Sequence, residues 1–199
     1  MSIVKLNNRG VKDATAFGSI SSLGELIFIS KQTASSSSTI SFTSGIDSTY
    51  KEYLFFFYNI HPSNDAALFS VGFRDGGSDY DAPKTSSYFY SSHKEDDSQT
   101  VLAYEGSYDQ AQSTSFHSLA NVGNANDENL SGYIHLFDPS NTTFVKHFIS
   151  RFYTEGATEQ CADAFVAGYC NTTSAIDGVQ FKFGAGTIDA GTIILYGIN

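Results

Sequence analysis

Residues 51–63 read KEYLFFFYNIHPS. From Tyr53 to Tyr58 every side chain is aromatic or aliphatic, and Ile60 follows. At the two-residue period of a strand, Tyr53, Phe55, Phe57 and Asn59 fall on one face. Leu54, Phe56, Tyr58 and Ile60 fall on the other. Both faces are apolar. This predicts a central strand covered on both sides, or covered once by a core and once by a neighbouring subunit. Four aromatics in a row, Phe55 to Tyr58, favour strand over buried helix, because flat β-preferring side chains suit a pleated surface. Pro62 ends the strand, since it cannot donate to a ladder. On this reading Phe56 is a core residue, and Phe56→Ala should cost roughly 3–5 kcal/mol.

Strands recur outward from this stretch. Before it come ELIFIS (25–30) and TISFT (39–43). After it come ALFSVGFR (67–74), TSSYFYSS (85–92), VLAYE (101–105) and STSFHSLA (113–120). LSGYIHLFD (130–138), the turn PSNTT and FVKHFISRFY (144–153) form a predicted hairpin. AFVAGYC (164–170), AIDGVQFKF (175–183) and GTIILYGI (191–198) complete the series. About a dozen short strands with no helical period indicate an all-β fold. The expected architecture is a single antiparallel β-sandwich of jelly-roll type over 22–199, preceded by an extended N-terminal arm over 1–21. The arm is locally basic through Lys5, Arg9 and Lys12, and these are the predicted docking residues for a partner.

The chain has 199 residues, is 41% hydrophobic and only 16% charged, which describes a packed globular protein rather than a disordered one. Its net charge of −10 repels phosphate backbones, so nucleic acid is not an expected partner. No stretch is apolar and long enough to predict membrane insertion or a signal peptide. Cys161 and Cys170 would end one strand roughly 30 Å apart, beyond disulfide reach, so free thiols are expected. The sequons at Asn129, Asn141 and Asn171 read as chance matches.

Motifs for chemistry are absent. There is no G-x-S-x-G elbow, no P-loop and no dinucleotide fingerprint, so the chain is not expected to be an enzyme or to hold a cofactor. His135 and His147 sit in the two hairpin strands, but a zinc site needs three or four such ligands. Acidic clusters at Asp75–Asp81, Glu95–Asp97 and Asp127–Glu128 lie in predicted loops. The spacing of Asn124, Asn126, Asp127 and Asn129 does not match an EF-hand. The binding-type feature is a set of tyrosines near Gly/Asp/Ser loops, Tyr80, Tyr88, Tyr90 and Tyr108. Their composition suits a glycan or a protein contact, and equally the aromatic rim of a core.

Five stretches carry a resemblance. They are KLNNRGVKDATAFGSISSLGEL (5–26), STYKEYLFFFYNIHPS (48–63), LSGYIHLFDPSNTTFVKHFISR (130–151), FVAGYCNTTSAIDGVQFKF (165–183) and GTIDAGTIILYGIN (186–199). Together they resemble small virion structural proteins of marine bacteriophages, of the cyanophage and pelagiphage type. That group is tail-fibre-like or capsid-decorating and mostly uncharacterised. Residues 75–110 fit the group's pattern less well, and no binding role is carried over to them. The resemblance implies a particle component assembled in the host cytoplasm, with other virion proteins as partners. It brings no catalytic motif. Without a shaft before the sandwich, a decorating or knob-like protein is expected ahead of a tail fibre or a carbohydrate-binding receptor module. The two apolar faces of 51–60 further predict a homo-oligomer, expected to be a trimer.

Overall fold

The computed structural model describes residues 25–198. They form thirteen strands and no helix. The strands are β1 (Leu26–Thr33), β2 (Ile40–Phe42), β3 (Glu52–Pro62), β4 (Ala67–Arg74), β5 (Lys84–Lys94), β6 (Thr100–Tyr104), β7 (Gln110–Ser113), β8 (His117–Val122), β9 (Leu130–Phe137), β10 (Lys146–Gly156), β11 (Gln160–Cys170), β12 (Gly178–Phe183) and β13 (Ile188–Ile198). The larger sheet has the order β1-β13-β3-β9-β10-β11-β5-β6, with β7 also paired to β5. The smaller one has the order β2-β12-β4-β8. The pairings are antiparallel throughout. The all-β, antiparallel expectation holds. Residues 1–21, with Lys5, Arg9 and Lys12, lie outside the described residues.

The sheets meet through aromatic side chains. Phe57 of β3 lies 4.9 Å from Phe181 of β12 and 5.7 Å from Phe69 of β4, ring centre to ring centre, both edge to face. Phe152 of β10 closes on Phe57 at 5.0 Å. Alternation on both sides supplies this core. Phe69, Val71 and Phe73 from one sheet, and Tyr53, Phe55 and Phe57 from the other, are buried to within 1%.

Two assignments made at 51–63 are corrected. Ile60 belongs to the buried face with Tyr53, Phe55 and Phe57, not opposite them. Asn59 causes the change. It takes a left-handed φ of 51°, which asparagine tolerates, and its backbone N–H turns to the Ser131 hydroxyl at 3.1 Å. One residue is inserted into the ladder as a bulge, and the alternation resumes one place later. On β13 the facing residue is Gly191 at φ 119°, where a side chain would meet the Asn59 carbonyl at 2.7 Å. Phe56 is also corrected. It is half-buried on the outer face, because Tyr53 starts the inward set and Phe56 falls between inward positions.

A second set of side chains covers the outer face of the larger sheet. Ile194, Phe56, Tyr133, Arg151, Phe165, Phe89 and Tyr104 stand in consecutive register on β13, β3, β9, β10, β11, β5 and β6. Phe89 and Phe165 stack at 4.7 Å and 3°. Arg151 lies 4.7 Å from the Phe165 ring and grips Asp163 through two nitrogens.

Two buried polar groups sit at the inner face of β5, β10 and β11. In register, Lys146 pairs with Cys170, which pairs with Lys84, and all three are fully buried. The lysine stems fill the core. Lys84 Nζ donates to the Ala82 carbonyl at 2.8 Å, and Lys146 Nζ donates to the Thr172 carbonyl at 2.7 Å. Burial pushes both ammonium groups below the usual lysine range. The other group is His117 of β8, fully buried. The Ser118 carbonyl can only accept, so Nδ1–H donates to it at 2.6 Å. Nε2 then accepts from the Ser86 hydroxyl at 2.5 Å, and the same oxygen accepts from Gln110 N–H.

Two predictions follow from this packing. Phe57→Ala should lower unfolding free energy by about 3–5 kcal/mol, and Phe56→Ala by only about 1–2 kcal/mol, read by urea melts of both variants. Equal losses would mean that the two faces are equally buried. The second concerns acid. Burial holds His117 neutral and pushes its pKa from 6.5 to about 4. The unfolded chain therefore binds this proton first. Stability from His117 is complete above pH 6.5 and is lost as pH falls toward 4, by at most about 3 kcal/mol. Melting temperature against pH should fall less steeply across this window in His117→Gln than in the parent.

Candidate functional site

Three of the four predicted tyrosines come together. Tyr88 and Tyr90 project inward from β5, and Tyr108 joins them from the β6–β7 connection. They line a cavity of about 180 Å³ at one end of the space between the sheets. Small residues on β8 and β11 leave the room: Ala120, Ala162 and Ala164 floor the cavity. Ala164 lies directly opposite Tyr90 in the ladder, so the ring leans over an alanine instead of a large neighbour. Asn121, Thr154, Gln160 and Glu105 bring polar groups to the rim.

The β6–β7 connection is fixed against β5. Glu105 N–H donates to the Tyr88 carbonyl at 2.9 Å, and Tyr108 N–H donates to the Glu105 carbonyl at 3.2 Å. The Ser107 hydroxyl and N–H both donate to the Glu105 carboxylate, at 2.6 and 3.1 Å. The hydroxyl bond first, then the backbone one, holds Glu105 below the usual carboxylate range, so it is ionised at neutral pH. Burial pushes the Tyr88 and Tyr108 phenols up. Tyr88 and Tyr108 meet edge to face at 5.2 Å. The cavity thus offers aromatic walls, neutral phenols, two amides and one fixed anion. Glu105 is the one carboxylate among the lining residues.

The tyrosines differ from the sequence expectation in placement. Tyr88 lies on the strand expected over 85–92, which runs from Lys84 to Lys94, but it is buried, 3% exposed, where an exposed tyrosine near a loop was expected. Tyr80 lies apart, half-buried against Phe116 and Gln180 with the Arg74 guanidinium 6.0 Å from its ring. Strand β7 was unforeseen. SYDQAQS lacks alternation, and β7 is held by side-chain bonds to Thr85 and Ser86. Glu105, Asn121 and Gln160 carried no sequence signal, since each is an ordinary polar residue at a strand end.

The acidic clusters converge in part. Asp65, Glu95, Asp127, Glu128, Glu155 and Glu159 line one crevice at the end of β10. A side-chain contact with Glu95 pushes the Glu155 carboxyl up. Among the described residues, no group of three or more histidine, cysteine or acidic side chains is arranged to hold a metal ion. His135 faces Glu52 at 2.9 Å, while His147 stacks against Tyr169. The two cysteines end β11, as expected, and neither is in a disulfide.

No known family model matches the sequence, and no curated protein matches it.

The cysteines should separate chemically. Cys161 is exposed, while burial beside Lys84 and Lys146 still leaves the Cys170 thiol pushed up to about 12. A thiolate reagent should therefore titrate Cys161 alone in the native protein and both thiols after denaturation. Two fast-reacting native thiols would mean that the β5–β11–β10 end is open to solvent.

Proposed function

We propose that the chain is a non-enzymatic structural protein of a bacteriophage particle, a capsid-decorating or knob-like component. In this reading residues 22–199 fold as one jelly-roll-type sandwich, and residues 1–21 join the particle through Lys5, Arg9 and Lys12. The resemblance of five stretches to marine phage virion proteins motivates it. The observation that carries it is the outer face of the larger sheet. Eight of the nine exposed large apolar side chains among the described residues stand on that face, with Phe144 the exception in the β9–β10 turn. A protein that displays such a face works by contact. The body is otherwise acidic, so a basic arm complements acidic neighbouring surfaces.

A second reading is a carbohydrate-binding receptor module on the tail or head. The tyrosine cavity favours it. Phenol rings stack on sugar faces, and Asn121, Gln160 and Glu105 supply acceptors and donors for hydroxyl groups.

Mass spectrometry of purified particles tests the first reading. Hundreds of copies per particle mean decoration, and a few dozen or fewer mean fibre or spike. Protein lacking residues 1–21 should melt like the full chain and fail to join particles that lack the native copy. Incorporation at normal occupancy would remove the arm's role. A glycan array tests the second reading: binding that disappears in Tyr90→Ala, with the melting curve retained, supports it, and a blank array counts against it.

A further inference from the structure

We infer that the outer face of the nine-stranded sheet is an interface between two copies of this chain, stacked sheet on sheet. This rests on the reading of that face as a contact surface, and not on the assignment to a phage particle.

The face is built for burial. Its exposed apolar side chains run from Phe28 on the β1 edge, 59% exposed, to Tyr104 and Leu102 on the β6 edge, 60% and 80% exposed. Seven strand-to-strand steps of about 4.8 Å, and three side-chain rows along the strands, give a patch of roughly 34 by 20 Å, near 700 Å². A stable interface buries about 800 Å² on each partner. The patch is therefore the size of a whole interface, far beyond the few exposed apolar side chains that every surface carries.

Three observations choose the occupant. The first is shape. Each strand is rotated from its neighbour by about 20–25°, so a face eight strands wide is a twisted saddle. A second sheet of the same hand and twist complements it, as aligned sheets pack at about −30°. The second is charge. Two chains of net charge −10 repel one another over most of their surfaces. Inside the patch, however, Arg151 and Asp163 neutralise each other through a bidentate pair, and the Lys31 ammonium, in register with Ile194 and Phe56, offsets the Glu52 carboxylate in the net charge of the face. A neutral apolar face is where two such chains meet at least electrostatic cost. The third is what else is at hand. The 24 residues that precede Glu25 contain one aromatic, Phe17, and are otherwise mostly polar or small. They are a poor complement to a face eight strands wide. Stacking one patch on its own copy is an isologous contact about a two-fold axis, so it makes a dimer. A three-fold assembly uses two different patches and leaves most of this face exposed.

The test is sedimentation velocity of the full chain from about 1 to about 100 μM, with native mass spectrometry for stoichiometry. The expected result is a dimer. Leu102→Lys combined with Phe28→Lys places charge at both flanks of the patch on side chains that are more than half exposed. It should weaken dimerisation at least roughly 100-fold while leaving the far-UV circular dichroism and melting onset of the monomer intact. Leu102→Lys alone, at the most exposed position, serves if the double variant folds poorly. Spin labels on Cys161, which is exposed at the rim of this face, should show dipolar coupling between copies in the parent and none in the variant. A parent that stays monomeric across the range, a dimer untouched by the lysines, or a trimer would each overturn the inference. A chain that dimerises through this face but is absent from phage particles would keep the inference and remove the particle reading.

Discussion

The edge-to-face contact between Phe57 and Phe181 is what the two sheets hang on. Each ring belongs to a different sheet, and each touches Phe69 as well. Burial of such rings is the largest favourable contribution a chain of this composition has, since it lacks tryptophan and its described residues form no helix. The inter-sheet spacing follows from their size. That spacing admits the stems of Lys84 and Lys146 at one end and leaves a cavity at the other, where alanines replace rings. Most of the larger polar groups caught in between are bonded, a lysine to a carbonyl and a histidine to a carbonyl and a hydroxyl, while the small Ser150 hydroxyl is buried without a partner.

Alternation made most of the strands legible. ALFSVGFR is β4 residue for residue, and the hairpin around PSNTT became β9 and β10 in register, because each has one apolar face per two residues. The phase of the central stretch was not legible. LFFFY is apolar at every position, so period two gives no inside, and only the bulge at Asn59 reveals why Ile60 joins the inward set. The tyrosine site was half legible. Tyr90 and Tyr108 reach one cavity, and Tyr88 reaches it from the strand expected over 85–92, though its serine-rich flanks gave no sign that it would be buried. Glu105, Asn121 and Gln160 were invisible, because a polar residue at a strand end is common, and what selects these three is the gap left by alanines on other strands.

Two surfaces of different character therefore sit on one body. The inner cavity is small, polar at its rim and lined by three phenols, of which burial pushes Tyr88 and Tyr108 up. The outer face is broad, nearly neutral and aromatic. A ligand of a few atoms and a partner of many strands would not compete, because the sheet itself separates them. Tyr90 and Phe89 are neighbours in sequence and point to opposite sides of it.

The bulge at Asn59 and Gly191 acts on this sheet as a change of metre acts on a line of verse. Before it, odd-numbered residues of β3 face inward; after it, even-numbered ones do. A descendant of this chain could exchange nearly every side chain and keep the fold, provided it kept the extra beat. One that lost a residue there would turn the rest of the strand inside out. Among distant kin, the position of that irregularity is thus a more durable signature than any particular aromatic residue.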